Sequence, residues 1–227
     1  MRDNSKKCWY DTTATMIERY GTEYVSNENL IAAVLGIDIM NEANQPVRDL
    51  FDGSHSLRKL AKKKTFDELV KVKGIGEKKA AALLAAFEIG RRLMKEEAED
   101  ITDLGSSLFI YNYMRPFTLD LDHEESWVLC MDQNFKLIKR VRISVGGNTE
   151  TTVDIRLICK EAIMCNATII ALVHNHPSCN TTPSKNDDIL TMKIQKACQV
   201  MNLFFSDHVI ISSKVNTYYS YQDKGKL

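Results

Sequence analysis

Two histidines two positions apart, His174 and His176, open a stretch reading HNHPSCNTTPSKND that closes with Ser184 and Asp187. The residues just before it, Ala167 followed by TIIALV at Thr168–Val173, form a near-continuous apolar run. Such a run is the mark of a strand buried on both faces. Side chains two apart on a strand point to the same side, with their backbones about 7 Å apart, so the two imidazoles can converge on one ion. Pro177 stops the ladder, and Pro183-Ser184 marks the start of a helix with Ser184 as N-cap and Asp187 in its first turn. A carboxylate there can turn back toward the strand end as a third ligand. Two imidazoles and one carboxylate leave a tetrahedral position for water, the arrangement of a catalytic zinc site and not of a closed structural one. Zinc brings the pKa of such a water to about 7 and polarises a carbonyl, and a nearby carboxylate must then accept and return a proton.

Each piece alone has an ordinary reading. An HxH at a strand end is often a surface pair, and Ser-x-x-Asp is often only a helix cap. The joint spacing is what points to a metal. Other zinc chemistries lack their residues: there is no HxE with PCxxC as in the deaminases and no HExxH.

The elements that must position these residues divide the chain in two. Residues 1–103 read as a helical domain, with candidate helices over Thr12–Tyr20, Glu28–Leu35, Pro46–Leu50, Leu57–Lys62, Phe66–Lys71 and Glu77–Met94. The acidic run Glu96, Glu97, Glu99, Asp100 and Asp103 reads as a solvated boundary. A short helix near Ser106–Met114 leads into residues 104–227. There, strands over Trp127–Met131 and Leu137–Val145 flank a turn at Gln133-Asn134. The buried run follows, then a helix over Lys185–Val200 and a strand at Val209–Ser212. The fold class is α/β (α+β), a helical domain followed by a layered α/β domain. The 227 residues carry 30 basic and 30 acidic side chains, so any affinity for nucleic acid must come from a local patch. Six scattered cysteines without a CxxC, and a polar start without an apolar stretch, suggest reduced thiols in a cytoplasm. No apolar run has the roughly 20 residues of a membrane span.

The pattern of His-x-His, seven residues, Ser, two residues and Asp resembles the JAMM motif of JAB/MPN metallopeptidases. The string HNHPS…TPSKNDD, with SDHVII at Ser206–Ile211, resembles the RadC family. That resemblance implies a mixed-sheet α/β/α domain, Zn2+ held by His174, His176 and Asp187, and a peptide or isopeptide bond as target. It makes Ser184 a partner of the water or oxyanion. It makes Glu124, ahead of Val128–Asp132, the general base, with Glu125 as the alternative because a one-residue slip reverses the face. Asp207-His208 would have a structural or ligand-supporting role. This chain departs from the pattern at Cys179, at Val153–Leu157 where relatives read VHPRE, and in lacking an Arg-Pro-Arg-Glu start.

In the helical half, LVKVKGIGEKKA from Leu69 to Ala80 resembles a helix-hairpin-helix, with Gly74-Ile75-Gly76 as hairpin and a second helix beginning near Glu77. Glycines allow close backbone approach, and a helix N-terminus offers N–H groups to phosphate. Lys71, Lys73, Lys78 and Lys79, with Arg58, Lys59, Lys62, Lys63 and Lys64 upstream, outnumber Asp67, Glu68 and Glu77 by about six charges. Gly74, Gly76, Lys73, Lys78 and Lys79 are therefore the candidate DNA contacts; packing alone and protein binding are the competing uses of the motif. Taken together, the resemblances imply a zinc hydrolase with a peptide or protein substrate in a family associated with DNA repair. The alternative is a DNA-binding repair protein whose zinc is structural or acts on nucleic acid. Neither reading involves a membrane.

Overall fold

The computed structural model of the chain describes residues 13–37, 45–63, 65–119, 121–146, 153–178 and 180–227. Cys8, Lys64, Cys179 and the side chain of Lys63, all singled out in the sequence, lie outside what is described. Contacts divide the chain into two compact units between Arg92 and Leu93. None of the described helices is long and apolar enough to cross a membrane.

The first unit is helical, as its composition suggests: α1 (Thr13–Tyr20), α2 (Asn27–Leu35), α3 (Gln45–Phe51), α4 (Leu57–Lys63), α5 (Phe66–Val70) and the start of α6 (Glu77–Glu99). A 3₁₀ turn, Thr22–Tyr24, follows α1. Ser26 caps α2 by accepting from Asn29 N, and Thr65 and Glu68 form a reciprocal capping box at α5. Ile31, Leu35, Val47, Leu50, Leu69 and Leu83 meet in one buried core. Ile75, between the two hairpin glycines, is buried in the same core and pins the hairpin. Gly74 takes φ +90°, and a Cβ there would stand 2.7 Å from Pro46 Cγ. Gly76 has a negative φ and open space where a Cβ would go. The acidic run from Glu96 is the exposed last turn of α6 and the segment beyond it. Its helix-favouring residues extend α6 past the expected end at Met94.

The second unit is a mixed sheet of order β2-β1-β3-β4-β5: β1 (Glu125–Met131), β2 (Leu137–Val145), β3 (Ile169–His176), β4 (Phe204–Ser212) and β5 (Tyr218–Ser220). Among the described strands the β3–β4 pair alone is parallel. On one face, Leu129, Ala171, Val173 and Val209 pack on Ile110 and Met114 of α7 (Ser107–Thr118). On the other, Val128, Ile170 and Leu172 pack on Ile158 of α8 (Ile155–Met164) and Ile194 of α9 (Lys185–Val200). The expected α/β/α layering is present. β3 is buried on both sides, as its apolar run predicts, but hydrogen bonding carries it through His176, so both histidines are still within the strand. β4 starts at Phe204, earlier than the sequence reading. α8 and β5 were not anticipated. α7 runs beyond Met114 to Thr118 with Pro116 inside it, its last turn kept by Thr118 Oγ1 donating to the Met114 carbonyl at 3.3 Å.

Register on β3 is enforced by Asn175, which is buried on the face opposite the histidines. Its Oδ1 accepts from Glu125 N at 2.8 Å and its Nδ2 donates to the His123 carbonyl at 2.8 Å. That clamp holds the backbone on both sides of Glu124. Asn175→Ala would strand both backbone groups. It is expected to cost about 1–3 kcal/mol, read as a lower urea midpoint with unchanged slope. In the helical unit, Gly74→Ala is expected to cost about 1–3 kcal/mol for the disfavoured φ, more where Pro46 cannot give way. Gly76→Ala should stay within about 0.5 kcal/mol of the parent; equal losses in the two variants would contradict this account of the hairpin.

Candidate metal centre

Pleat and register assemble the site. Even-numbered residues of β3 share one face, and Ser126 of β1 pairs with His174 while His208 of β4 pairs with Leu172. His174, His176, Ser126 and His208 are thus neighbours on the face covered by α8 and α9. α9 begins over this face because Ser184 caps it: Ser184 Oγ accepts from Asp187 N, and Ser184 N donates to Asp187 Oδ2 at 2.7 Å. The reciprocal box turns the Asp187 carboxylate back toward the strand, as the sequence suggested.

The donor atoms converge. His174 Nε2 is 3.0 Å from His176 Nε2 and 3.3 Å from Asp187 Oδ1, and His176 Nε2 is 3.8 Å from Asp187 Oδ2. One ligand atom from each of the three residues lies within 4.8 Å of the others. Ligands about 2.0–2.1 Å from a tetrahedral zinc are themselves about 3.3 Å apart, so the donor set has the chemistry for the ion and needs only a modest closing of the three side chains to hold it. The His176 ring is held by its other nitrogen: Nδ1 donates to the Asn180 carbonyl at 2.9 Å, which leaves Nε2 with a free lone pair. His174 is buried, and desolvation foremost lowers its pKa to about 4 despite the opposing pull of Asp187. It is therefore a neutral donor at neutral pH. His208, fully buried, is held well below its ordinary value, first by desolvation and then by the two neighbouring histidines.

A cleft of about 410 Å³ opens beside these atoms, lined by Glu124, Ser126, His174, Ser184 and Asp187, with Ile155 and Leu190 on an apolar wall. Glu124 is exposed at its rim, immediately before β1. Glu125 turns away: it is buried, 3.1 Å from His123 Nε2, and accepts from Arg142 Nη1 at 3.0 Å. Of the two candidate glutamates, only Glu124 borders the cleft. Ser184 also borders it, but its one hydroxyl proton goes to Asp187 Oδ2 at 2.7 Å. The segment Val153–Leu157, read as a divergent motif, supplies the Asp154 N-cap and first turn of α8, and Val153 and Ile155 reach the cleft.

The nucleic-acid candidates belong to the other unit. Lys73 and Lys78 are exposed beside the hairpin. Lys79 is instead half-buried and donates to the Gly74 carbonyl at 3.2 Å, so it helps close the hairpin. Sequence reading missed Asn175, Ser126, Thr191 and Tyr221. Ser126 follows only once the β1–β3 register is known, and Thr191 lies one helical turn beyond Asp187. Nothing in the sequence flags Tyr221, which reaches the site through β5.

Comparison with known proteins identifies the family. The sequence pattern of the RadC-like JAB domain matches residues 104–226, and that of the helix-hairpin-helix motif matches residues 59–86. A UPF0758 protein of Flavobacterium johnsoniae is 35% identical over 90% of this chain and 89% of its own. UPF0758 proteins of Porphyromonas gingivalis and Thermotoga maritima are each 34% identical. They cover 92% and 91% of this chain, and 92% of their own length in both cases. With its JAB domain, its helix-hairpin-helix and relatives matched along nearly their whole length, the chain belongs to the RadC family.

Proposed function

We propose that this protein is a zinc-dependent hydrolase that cleaves a peptide or isopeptide bond, working in association with DNA repair. The observation that carries the reading is the convergence of His174, His176 and Asp187 donor atoms beside a cleft that Glu124 and Ser184 also line. These three residues would hold zinc, and the nitrogen-rich donor set suits that ion. Bound there, zinc supplies Lewis acidity that polarises a scissile carbonyl and makes water acidic near neutral pH.

The protein's own groups do the rest. Glu124, open to the cleft, takes a proton from the attacking water. It returns that proton to the leaving nitrogen as the C–N bond breaks. Ser184 donates to the oxygen of the tetrahedral intermediate. Its hydroxyl must leave Asp187 Oδ2 to do so, but Ser184 N still holds that oxygen at 2.7 Å. The apolar wall at Ile155 and Leu190 gives a substrate side chain somewhere to rest. Free thiols at Cys130, Cys159, Cys165 and Cys198 suit a reducing cytoplasm.

Purified protein is expected to carry about one zinc per chain by elemental analysis, falling sharply in His176→Ala. Glu124→Gln should retain the metal and lose cleavage of a peptide library by at least about 100-fold. Glu125→Gln should keep the chemistry. Loss of zinc in Glu124→Gln would mean that Glu124 is a ligand and not the base.

DNA contact through the hairpin is the second reading, favoured by the motif match and the exposed Lys73 and Lys78. Here zinc would be structural or act on nucleic acid. Affinity for branched or single-stranded DNA should fall as salt rises, and Lys73→Ala with Lys78→Ala should make that dependence shallower. Gly76→Ala is the cleaner hairpin probe, because Gly74→Ala disturbs folding. Undiminished DNA affinity in Lys73→Ala/Lys78→Ala and in Gly76→Ala would remove this contact.

A further inference from the structure

We infer that His208 is a positioning residue that sets which ring nitrogen of His174 is free to bind metal, through a proton relay anchored on the backbone of α9. The inference rests on the zinc reading of the site and adds to it a residue that touches neither ion nor substrate.

Three contacts define the relay. Thr191 Oγ1 donates to the Asp187 carbonyl at 2.7 Å. A carbonyl can only accept, and the relay assigns the hydroxyl's single proton to this contact and not to the His208 ring. His208 Nδ1 lies 2.6 Å from the same Thr191 oxygen. Having no proton left to give, that oxygen must accept, which places the hydrogen of the His208 ring on Nδ1. A neutral imidazole carries one N–H, so His208 Nε2 is then a bare acceptor. It stands 2.8 Å from His174 Nδ1. His174 must therefore donate from Nδ1, and its Nε2, facing His176 Nε2 and Asp187 Oδ1, is left with a free lone pair.

Polarity thus runs in one direction, from His174 through His208 and Thr191 to a carbonyl that cannot reverse it. Both ends of the chain are ligand residues, because the terminal acceptor is the main chain of Asp187 itself. The other histidine needs no such device: His176 Nδ1 donates directly to the Asn180 carbonyl. His174 is deeper, and its Nδ1 meets the His208 ring where His176 meets a backbone carbonyl, so an intervening ring does the work. The environment of His208 keeps that ring in place. Its face is stacked on Tyr221, with centroids 4.9 Å apart and planes 4° from parallel. Tyr221 is itself tied to Asp188 Oδ1 at 2.8 Å. The neighbouring Asp207 accepts from His208 N, Gln222 N and Ser220 Oγ, fastening β4 to β5 behind the ring.

The test reads the proton and the metal separately. Long-range proton–nitrogen correlation spectra of the metal-free protein are expected to show the N–H of both His174 and His208 on Nδ1; an Nε2–H on His174 would overturn the relay. Zinc affinity is then measured by competition with a chromophoric chelator. His208→Leu should bind zinc about 10–100-fold more weakly. His208→Gln, whose amide oxygen can accept where Nε2 stood, should recover most of that loss. Unchanged affinity in a folded His208→Leu would also sink the proposal. Thr191→Val covers the case in which leucine does not fold: it should weaken zinc several-fold, and no change would count against the relay. None of these readings needs turnover. A protein that shows the tautomers and the affinity losses but cleaves nothing would retain the relay and lose the hydrolase assignment.

Discussion

A strand buried on both faces has no use for a polar side chain until it nears its end, and there the pleat decides which side chains meet. β3 is such a strand, paired along its length with β1 and β4. Because both neighbours are hydrogen-bonded to it, no residue can slip without dragging two ladders, and a slip of one would send both imidazoles to the α7 face. The site depends on that constraint. It puts His174 and His176 on the α9 side, brings Ser126 and His208 beside them, and turns Asn175 to the other face. There Asn175 grips the backbone around Glu124, so one strand places the two imidazoles with its odd-and-even alternation and the neighbouring acid with the residue in between.

The helical unit uses glycine for two separate purposes. Gly74 is there because the chain must turn through a positive φ with Pro46 close by. Gly76 meets neither demand, so its lack of a side chain leaves the start of α6 open to whatever approaches. The lysines divide in a similar way. Lys79 spends its ammonium on the hairpin's own carbonyl, whereas Lys73 and Lys78 stay in solvent. A basic patch counted from sequence therefore overstates the charge available to a phosphate backbone.

Much of the architecture could be read from residue patterns alone. The TIIALV run is buried as expected, and the capping signal at Ser184 places the start of α9 at Lys185. The convergence of His174, His176 and Asp187 followed from periodicities of two in a strand and 3.6 in a helix. What stayed hidden depends on contacts distant in sequence. β5 is three residues long and exists because β4 offers it an edge. α8 begins in a stretch read as a divergent family motif, and only its packing under Val128 and Ile170 marks Ile158 and Ala162 as a helical face. The choice between Glu124 and Glu125 needed the β1 register. Tyr221 and Thr191 became neighbours of His208 only when β5 and α9 closed over it.

The cap at the start of α9 also bears on which cations the pocket can accept. Asp187 Oδ2, 3.8 Å from His176 Nε2, already receives Ser184 N and Ser184 Oγ, each at 2.7 Å, whereas Oδ1, 3.3 Å from His174 Nε2, takes neither of those bonds. A carboxylate tied in this way coordinates through a single atom. Calcium wants six to eight oxygens and often a chelating carboxylate, and magnesium wants a near-octahedral shell of oxygens. Neither is well served by two nitrogens and one oxygen. On the zinc reading, a hydrogen-bonding motif whose ordinary duty is to start a helix would thereby also favour zinc over the alkaline earths, by leaving one carboxylate oxygen already occupied.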